Sequence, residues 1–116
     1  MERKPNSPHG FRLAHERLDC YRLAVSVARW AWTQRFPAAR KHLQDQLLRA
    51  SDSVAQNIAE GMGHPPGPSR RNFLRIAMGS AAEVAAVLDL VDLPGGADRQ
   101  EELRRVTVML MGLSRA

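Results

Sequence analysis

The side chains best suited to chemistry in this sequence are basic. Seventeen Lys and Arg residues oppose twelve Asp and Glu residues, which gives a net charge of +5, and fifteen of the seventeen are Arg. Arg presents a planar fork of donors that matches phosphate and carboxylate groups, so this composition favours contact with a polyanion. The candidates for contact with the phosphates of a nucleic acid lie on the predicted second and third helices: Arg40, Lys41, Arg49, Arg70, Arg71 and Arg75.

The positive charge is concentrated in the first two-thirds of the chain. Residues 1–75 hold thirteen basic and six acidic residues, whereas residues 76–116 hold four basic and six acidic ones. Phosphate contacts made by such residues are sensitive to salt and carry little sequence information. The alternative is that these side chains form solvated helix faces with local ion pairs.

A second polar set runs along the predicted second helix, beside its apolar stripe. At about 100° per residue, Gln46, Asn57 and Glu60 fall close to Ser53. Ser and Asn are weak helix formers, so a fully exposed strip would not need them. We expect a partly buried, hydrogen-bonded layer; contact with another subunit or with a ligand are the alternatives. The predicted layer comprises Gln46, Ser53, Asn57, Glu60, Ser80 and Glu83.

Catalytic and metal-binding patterns are missing from the sequence. None of the four His residues sits in the Glu-x-x-His pair that builds di-iron sites in helical bundles. No nucleophile constellation stands out, and Gly61-x-Gly63 follows a helix rather than a strand, unlike a phosphate-binding loop. We therefore expect no enzyme activity, no metal and no cofactor.

Cysteine content and hydropathy predict the compartment. A lone cysteine, Cys20, excludes an internal disulfide and fits a reducing cytosol. No apolar run reaches membrane-spanning length, and the first residues lack the apolar core of a signal peptide. These features predict a cytoplasmic protein without a membrane partner.

The elements that position these residues are helices. Pro5, Pro8 and Gly10 predict a flexible arm over residues 1–13, followed by one all-α domain over residues 14–116. Hydrophobic periodicity predicts helices from residues 14–17 to 35, 37 to 62, 69 to 92–93, and 97 to near the C-terminus. Gly61 is expected to end the second helix before a long Pro-rich loop, and Ser69 to cap the third. These elements predict an antiparallel up-down-up-down four-helix bundle.

The predicted first helix is apolar over more than half of its circumference and needs neighbours on two sides. One side packs in its own bundle, and the other is a candidate subunit interface. That interface comprises Leu23, Val27, Trp30 and Ala31. The tightest crossing between helices is expected among the small residues at positions 77–81 of the third helix.

Two sequence blocks resemble those of the bacterial 23S rRNA intervening sequence proteins. The family pattern has an early Phe-Pro turn, a Q-x-x-R-A-x-x-S-[IV]-x-x-N-I-A-E-G block and an F-L-x-I-A-x-G-S block followed by Glu. The corresponding residues here span positions 36–37, 46–61 and 73–83, including Asn57, Glu60, Ser80 and Glu83. The similarity covers roughly residues 18–92.

The resemblance implies a left-handed four-helix bundle, assembly as a homo-pentamer and no catalytic activity. A related branch, the accessory variability proteins of diversity-generating retroelements, binds a reverse transcriptase and nucleic acid. The "NIAEG" block separates this chain from that branch, and its Pro-rich loop departs from the usual loop chemistry. We expect a non-enzymatic, basic homo-oligomer that binds structured RNA more readily than DNA. The alternative is a scaffold for another protein, including a reverse transcriptase, with incidental basic charge.

Overall fold

A computed structural model describes residues 12–115 of the protein, and all regular secondary structure in this part of the chain is helical, without a strand. The predicted arm over residues 1–13 therefore lies almost entirely outside the described residues. The four-helix, all-α fold is confirmed. The helices are α1 (Asp19–Ala31), α2 (Lys41–Met62), α3 (Pro68–Leu90) and α4 (Gly96–Ser114), and a 3₁₀ helix (Ala38–Arg40) precedes α2.

The first helix is shorter than predicted at both ends. Residues 14–17 form a turn, in which the Glu16 amide donates to Leu13 O at 3.0 Å, and α1 begins only at Asp19. At the other end the Thr33 hydroxyl and the Gln34 side-chain amide both donate to Trp30 O, at 2.7 and 3.2 Å. The Thr33 amide also donates to Trp30 O, at 3.0 Å, so a tight turn and two side-chain bonds end α1 well before the predicted residue 35.

The loop between α2 and α3 is also shorter than predicted. It comprises residues 63–67, whereas residues 32–40 form the longest connection. Gly67 has a φ of 147° and precedes Pro68 at the first position of α3, so the predicted cap at Ser69 is wrong. Proline suits a first helical position because its missing N–H would lack an intrahelical partner there anyway. The start of α4, predicted at residue 97, agrees to within one residue.

The apolar stripe predicted for α2 lies in the core, as expected from its three- and four-residue spacing. Leu43, Leu47, Ala50, Val54 and Ile58 are all buried. They pack with buried residues of the other three helices, among them Val27, Ala31, Leu74, Ala77, Val84, Leu103, Val106 and Leu110.

Each helix packs against two others, α1 on α2 and α4, and α3 on α2 and α4. The antiparallel direction of α2 and α3 is visible in their contacts. The start of α2 meets the end of α3 where Arg40 bonds to Leu90 O, and the polar side chains of Ser53 and Ser80 meet near the middle. The left-handed sense of the bundle and its complete up-down order stay predictions. No helix in residues 12–115 is long and apolar enough to cross a membrane.

Gly61 is a site of close helix approach and does not end α2, which continues to Met62. A Cβ at Gly61 would lie 3.1 Å from both Phe73 Cβ and Leu74 Cδ2, and 3.3 Å from Arg70 O. Only glycine leaves room for α3 at that distance. The expected tight crossing at residues 77–81 is not found at Gly79, where an added Cβ would meet nothing within 4 Å.

Candidate nucleic-acid interface

Part of the predicted polar layer forms between α2 and α3. The hydroxyl oxygens of Ser53 and Ser80 are 2.8 Å apart, and the Asn57 side-chain amide donates to Ser53 O and Oγ at 2.9 and 3.0 Å. One helical turn away, Arg49 Nη2 donates to Glu83 Oε2 at 3.2 Å. The structure thus brings together Ser53, Asn57, Ser80 and Glu83, and adds Arg49 to them.

Two residues of the predicted layer lie outside it. Glu60 is exposed, and its nearest charged partner is the imidazole of His64 at 3.6 Å, one turn later in the chain. Gln46 is half-buried, and its side chain makes no hydrogen bond with any residue in the described range. Helical spacing placed both residues near Ser53 on α2, but which of them meets a polar side chain of α3 depends on contacts between the two helices.

Arg40 and Arg70, both predicted to contact phosphate, instead bind carbonyl oxygens at helix C-termini. Arg40 Nη2 donates to Leu90 O, in the last turn of α3, at 3.0 Å. Arg70 is half-buried and donates from Nε to His64 O at 2.9 Å and from Nη2 to Met62 O at 3.5 Å, just at the end of α2. A cation is stabilised at a helix C-terminus by the unpaired carbonyls and the negative end of the helix dipole. These contacts give both side chains a structural role in this fold, and their contact with phosphate stays a prediction.

The remaining four candidates keep more of their donors free. Arg49 stays largely exposed despite its ion pair with Glu83, and Arg75 makes only a long 3.4 Å contact with Asn72 Oδ1. Lys41 and Arg71 are exposed, and their side chains have no hydrogen-bond or ion-pair partner among residues 12–115. Among the six candidates, only these two are exposed and have no partner in the described range.

Lys41 and Arg71 occupy the first turns of α2 and α3, neither of which carries an acidic residue. Free amides and the positive end of the dipole make a helix N-terminus attractive to anions, and proteins usually place Asp or Glu there. Basic residues at this position are unfavourable on their own and become favourable when an external anion binds. Because α2 and α3 run antiparallel, the two first turns lie at opposite ends of the bundle.

The interface predicted on α1 is partly wrong. Val27 and Ala31 are buried inside the protomer, and Leu23 and Trp30 are half-buried against the core. The reason is that α1 packs on both α2 and α4, so its second apolar side is covered within the chain. Trp30 faces α4, where Arg99 lies 5.8 Å above its ring.

A different side of α1 is open to solvent, and the sequence did not single it out. Trp32 is 61% exposed. It directly follows α1 and continues its hydrogen-bond pattern, since its amide donates to Ala28 O at 3.1 Å. An open groove of about 330 Å³ beside it is lined by Val25, Ala28, Arg29, Trp32, Asp52, Ala55 and Gln56. A second groove, of about 440 Å³, lies between α3 and α4.

Titratable groups that suit a metal or a nucleophile are not gathered anywhere in the described range. No three His, Cys, Asp or Glu residues of that range are grouped to hold a metal ion. Burial raises the pKa of the Cys20 thiol, and the nearby charge of Asp19 adds a smaller increase. A thiol held neutral in this way is a poor nucleophile.

Comparison with known proteins identifies a family. No curated protein matches the chain, and the relationship to the retroelement accessory proteins stays a prediction. The model of the 23S rRNA-intervening sequence protein family matches residues 16–110, which include all four helices nearly to the end of α4. The chain therefore belongs to the 23S rRNA-intervening sequence protein family.

Proposed function

We propose that the protein is a non-enzymatic accessory protein that binds structured RNA through phosphate contacts, as a homo-oligomer. The observation that carries the proposal is the pair of unpartnered cations, Lys41 and Arg71, in helix first turns that lack acidic residues within the described range. The family description, which names an rRNA intervening sequence, favours RNA over DNA. The positive charge of residues 1–75 supports the same partner.

Oligomerisation matters to this proposal because the two cations lie at opposite ends of one bundle. A single protomer offers each RNA strand few contacts, whereas a ring would repeat each cation around an axis and raise the local positive potential. We expect a homo-pentamer, as the family resemblance implies. Light scattering measures this directly, and a monomer at micromolar concentration would contradict it.

The test is a fluorescence-polarisation titration of labelled structured RNA and duplex DNA at two salt concentrations. Changing Lys41 and Arg71 together to Ala should weaken RNA binding and reduce the slope of log K against log salt by about 1 for each cation. The matched control changes Arg105 and Arg115 to Ala. Both are exposed residues of the α4 region, without an ion pair among residues 12–115, and the control removes the same charge.

Equal weakening by the two double variants would show that net charge alone matters. An absence of binding at low salt, or binding that is indifferent to salt, would refute the proposal. Tighter binding to duplex DNA than to RNA would refute the choice of partner.

The second candidate function is a scaffold for another protein, such as a reverse transcriptase. It is favoured by exposed apolar side chains on α4, where Val108 is 67% exposed and Met111 44%. Changing Val108 to Glu would disable a scaffold surface there but leave phosphate contacts at Lys41 and Arg71 intact. RNA affinity and partner capture, measured on the same variant, separate the two functions.

A further inference from the structure

Trp32 is an exposed aromatic side chain that is nevertheless held in place. Its indole Nε1 donates a hydrogen bond to Asp52 Oδ1 on α2 at 3.0 Å, while the residue remains 61% exposed. Fixing a side chain before a ligand arrives lowers the entropy lost on binding. The indole face is therefore a preorganised surface for a flat, apolar group.

The groove beside Trp32 combines apolar and polar side chains. Its volume of about 330 Å³ falls at the lower end of the range of about 300–1,000 Å³ that is usual for small-molecule sites. Besides the indole, it is lined by three apolar side chains and three polar ones: Val25, Ala28, Ala55, Arg29, Asp52 and Gln56.

The polar groups of the groove retain unused hydrogen-bonding capacity. Arg29 lies three residues before Trp32 and is exposed, with no partner for its guanidinium in the part of the chain that the structure describes. Asp52 Oδ1 accepts from the indole, but no residue in that part donates to its Oδ2. An arginine and a carboxylate with an unpaired oxygen thus line the same groove as the indole.

We infer that this groove binds an unpaired base of single-stranded RNA, stacked on Trp32. Proteins recognise unpaired bases by stacking them on aromatic rings and contacting the backbone with cations, which is the combination that Trp32 and Arg29 supply. Asp52 repels phosphate, so the backbone contact falls to Arg29. The inference rests on the proposed function and specifies which part of a structured RNA is bound: a loop, bulge or end.

Asp52 also gives the site a preference among bases. A carboxylate oxygen accepts hydrogen bonds but cannot donate them. Cytosine presents an amino group at the position where uracil presents a carbonyl oxygen, and the two rings are otherwise similar in size. The groove therefore favours cytosine, by about two- to tenfold for one additional hydrogen bond.

The experiment uses the full chain with the substitution Trp30→Phe. The sequence holds two tryptophans, so Trp32 is then the single remaining one. This substitution keeps an aromatic ring opposite Arg99. Titration with oligocytidine and with oligouridine of equal length should quench Trp32 emission, and oligocytidine should bind with the lower Kd. Fully paired RNA should leave Trp32 emission unchanged. Unchanged Trp32 emission at saturating single-stranded RNA would overturn the inference.

Two further variants test the roles of the side chains. Trp32→Ala should weaken the binding of single-stranded RNA by about five- to 150-fold. The binding of paired RNA should weaken much less. Asp52→Asn keeps an acceptor for the indole and adds a donor, so the preference should move from oligocytidine toward oligouridine. Equal weakening of single-stranded and paired RNA by Trp32→Ala would overturn the inference.

Two results would assign the groove a different role. If Trp32→Ala changes the oligomeric mass in light scattering but not RNA affinity, the groove is a contact between copies and the inference is wrong. If RNA binds in a salt-dependent manner while Trp32 emission does not change, the inference fails and the proposed function stands. Failure of every RNA to bind at low salt refutes both.

Discussion

The hydroxyl oxygens of Ser53 and Ser80 lie 2.8 Å apart and join α2 to α3 at the middle of the most extensive helix contact in the fold. The Asn57 amide donates to the Ser53 hydroxyl from one turn away, so this hydroxyl has two polar neighbours. Partly buried polar atoms keep their partners in one register of the two helices and lose them in others. The pair therefore helps to specify how α3 aligns with α2.

Removal of either hydroxyl should destabilise the fold. Ser80→Ala is expected to lower the free energy of unfolding by about 1 kcal/mol because Ser53 loses its partner on the other helix. Ser53→Ala should cost slightly more, since Asn57 also loses a bond. In urea unfolding, the double variant should cost less than the sum of the two single variants, because both remove the same contact. Strict additivity would show that the two hydroxyls do not interact.

The core and part of the polar layer followed from helical periodicity because both depend on spacing within one helix. Leu47 and Ile58 lie on the apolar side of α2 whatever packs against it, and Ser53 and Asn57 lie beside them. Weak helix formers at these positions pointed to hydrogen-bonded partners, which α3 supplies through Ser80.

The assignments that failed depend on contacts between elements. Spacing shows that α1 has two apolar sides, but only the fold shows that α2 and α4 cover both and bury Val27 and Ala31. The sequence also identifies Arg40 and Arg70 as cations but not the carbonyl oxygens that they contact, and their contact with phosphate stays a prediction. Gly61 before a Pro-rich loop resembled a helix end, because the close approach of α3 is visible only in three dimensions.

Gly61→Ala should destabilise the protein. The new Cβ would lie 3.1 Å from Phe73 Cβ and 3.3 Å from Arg70 O, both fixed close to the α3 backbone. Overpacking of this kind costs about 1–3 kcal/mol, which outweighs the gain of about 1 kcal/mol for Ala over Gly in a helix. Thermal unfolding followed by circular dichroism should show a lower Tm.

Gly79→Ala is the matched control and should act in the opposite direction. Gly79 is an exposed, interior position of α3, and an added Cβ would meet nothing within 4 Å. Only the helix preference remains, so the free energy of unfolding should rise by about 0.5–1 kcal/mol. A lower Tm for this variant would show that the outer face of α3 is covered, as in an oligomer.

Arg70 and Arg71 are adjacent in sequence but should respond differently to substitution. Arg70→Ala removes the donor to His64 O and should cost about 1 kcal/mol of stability. Arg71→Ala removes no partner in the described range and should change stability by less than about 0.5 kcal/mol. Urea unfolding measures both.

The RNA affinities of the same two variants should show the reverse order. Arg71→Ala is expected to weaken binding and lower its salt dependence, whereas Arg70→Ala, measured where it is fully folded, should leave affinity close to that of the unchanged protein. A larger loss of affinity for Arg70→Ala than for Arg71→Ala would contradict the structural role assigned to Arg70.

Cys20 makes stability depend on pH in the alkaline range. Burial raises the pKa of its thiol in the folded protein, whereas the unfolded chain ionises the thiol near its ordinary pKa of about 8.5. The folded state therefore holds the proton more tightly than the unfolded state. The stabilisation is complete below the unfolded pKa and is lost as the pH rises toward and through the folded pKa.

Cys20→Ala isolates this contribution from other groups that titrate at high pH. At neutral pH the variant should be less stable than the unchanged protein, because a buried side chain becomes smaller. As the pH rises above about 8.5, the thiol ionises in the unfolded chain but stays neutral in the fold, which destabilises the unchanged protein only. The difference in unfolding free energy between the two proteins should therefore narrow. Urea unfolding of both proteins at several pH values measures the difference, and a constant gap would mean that the Cys20 pKa is the same in both states.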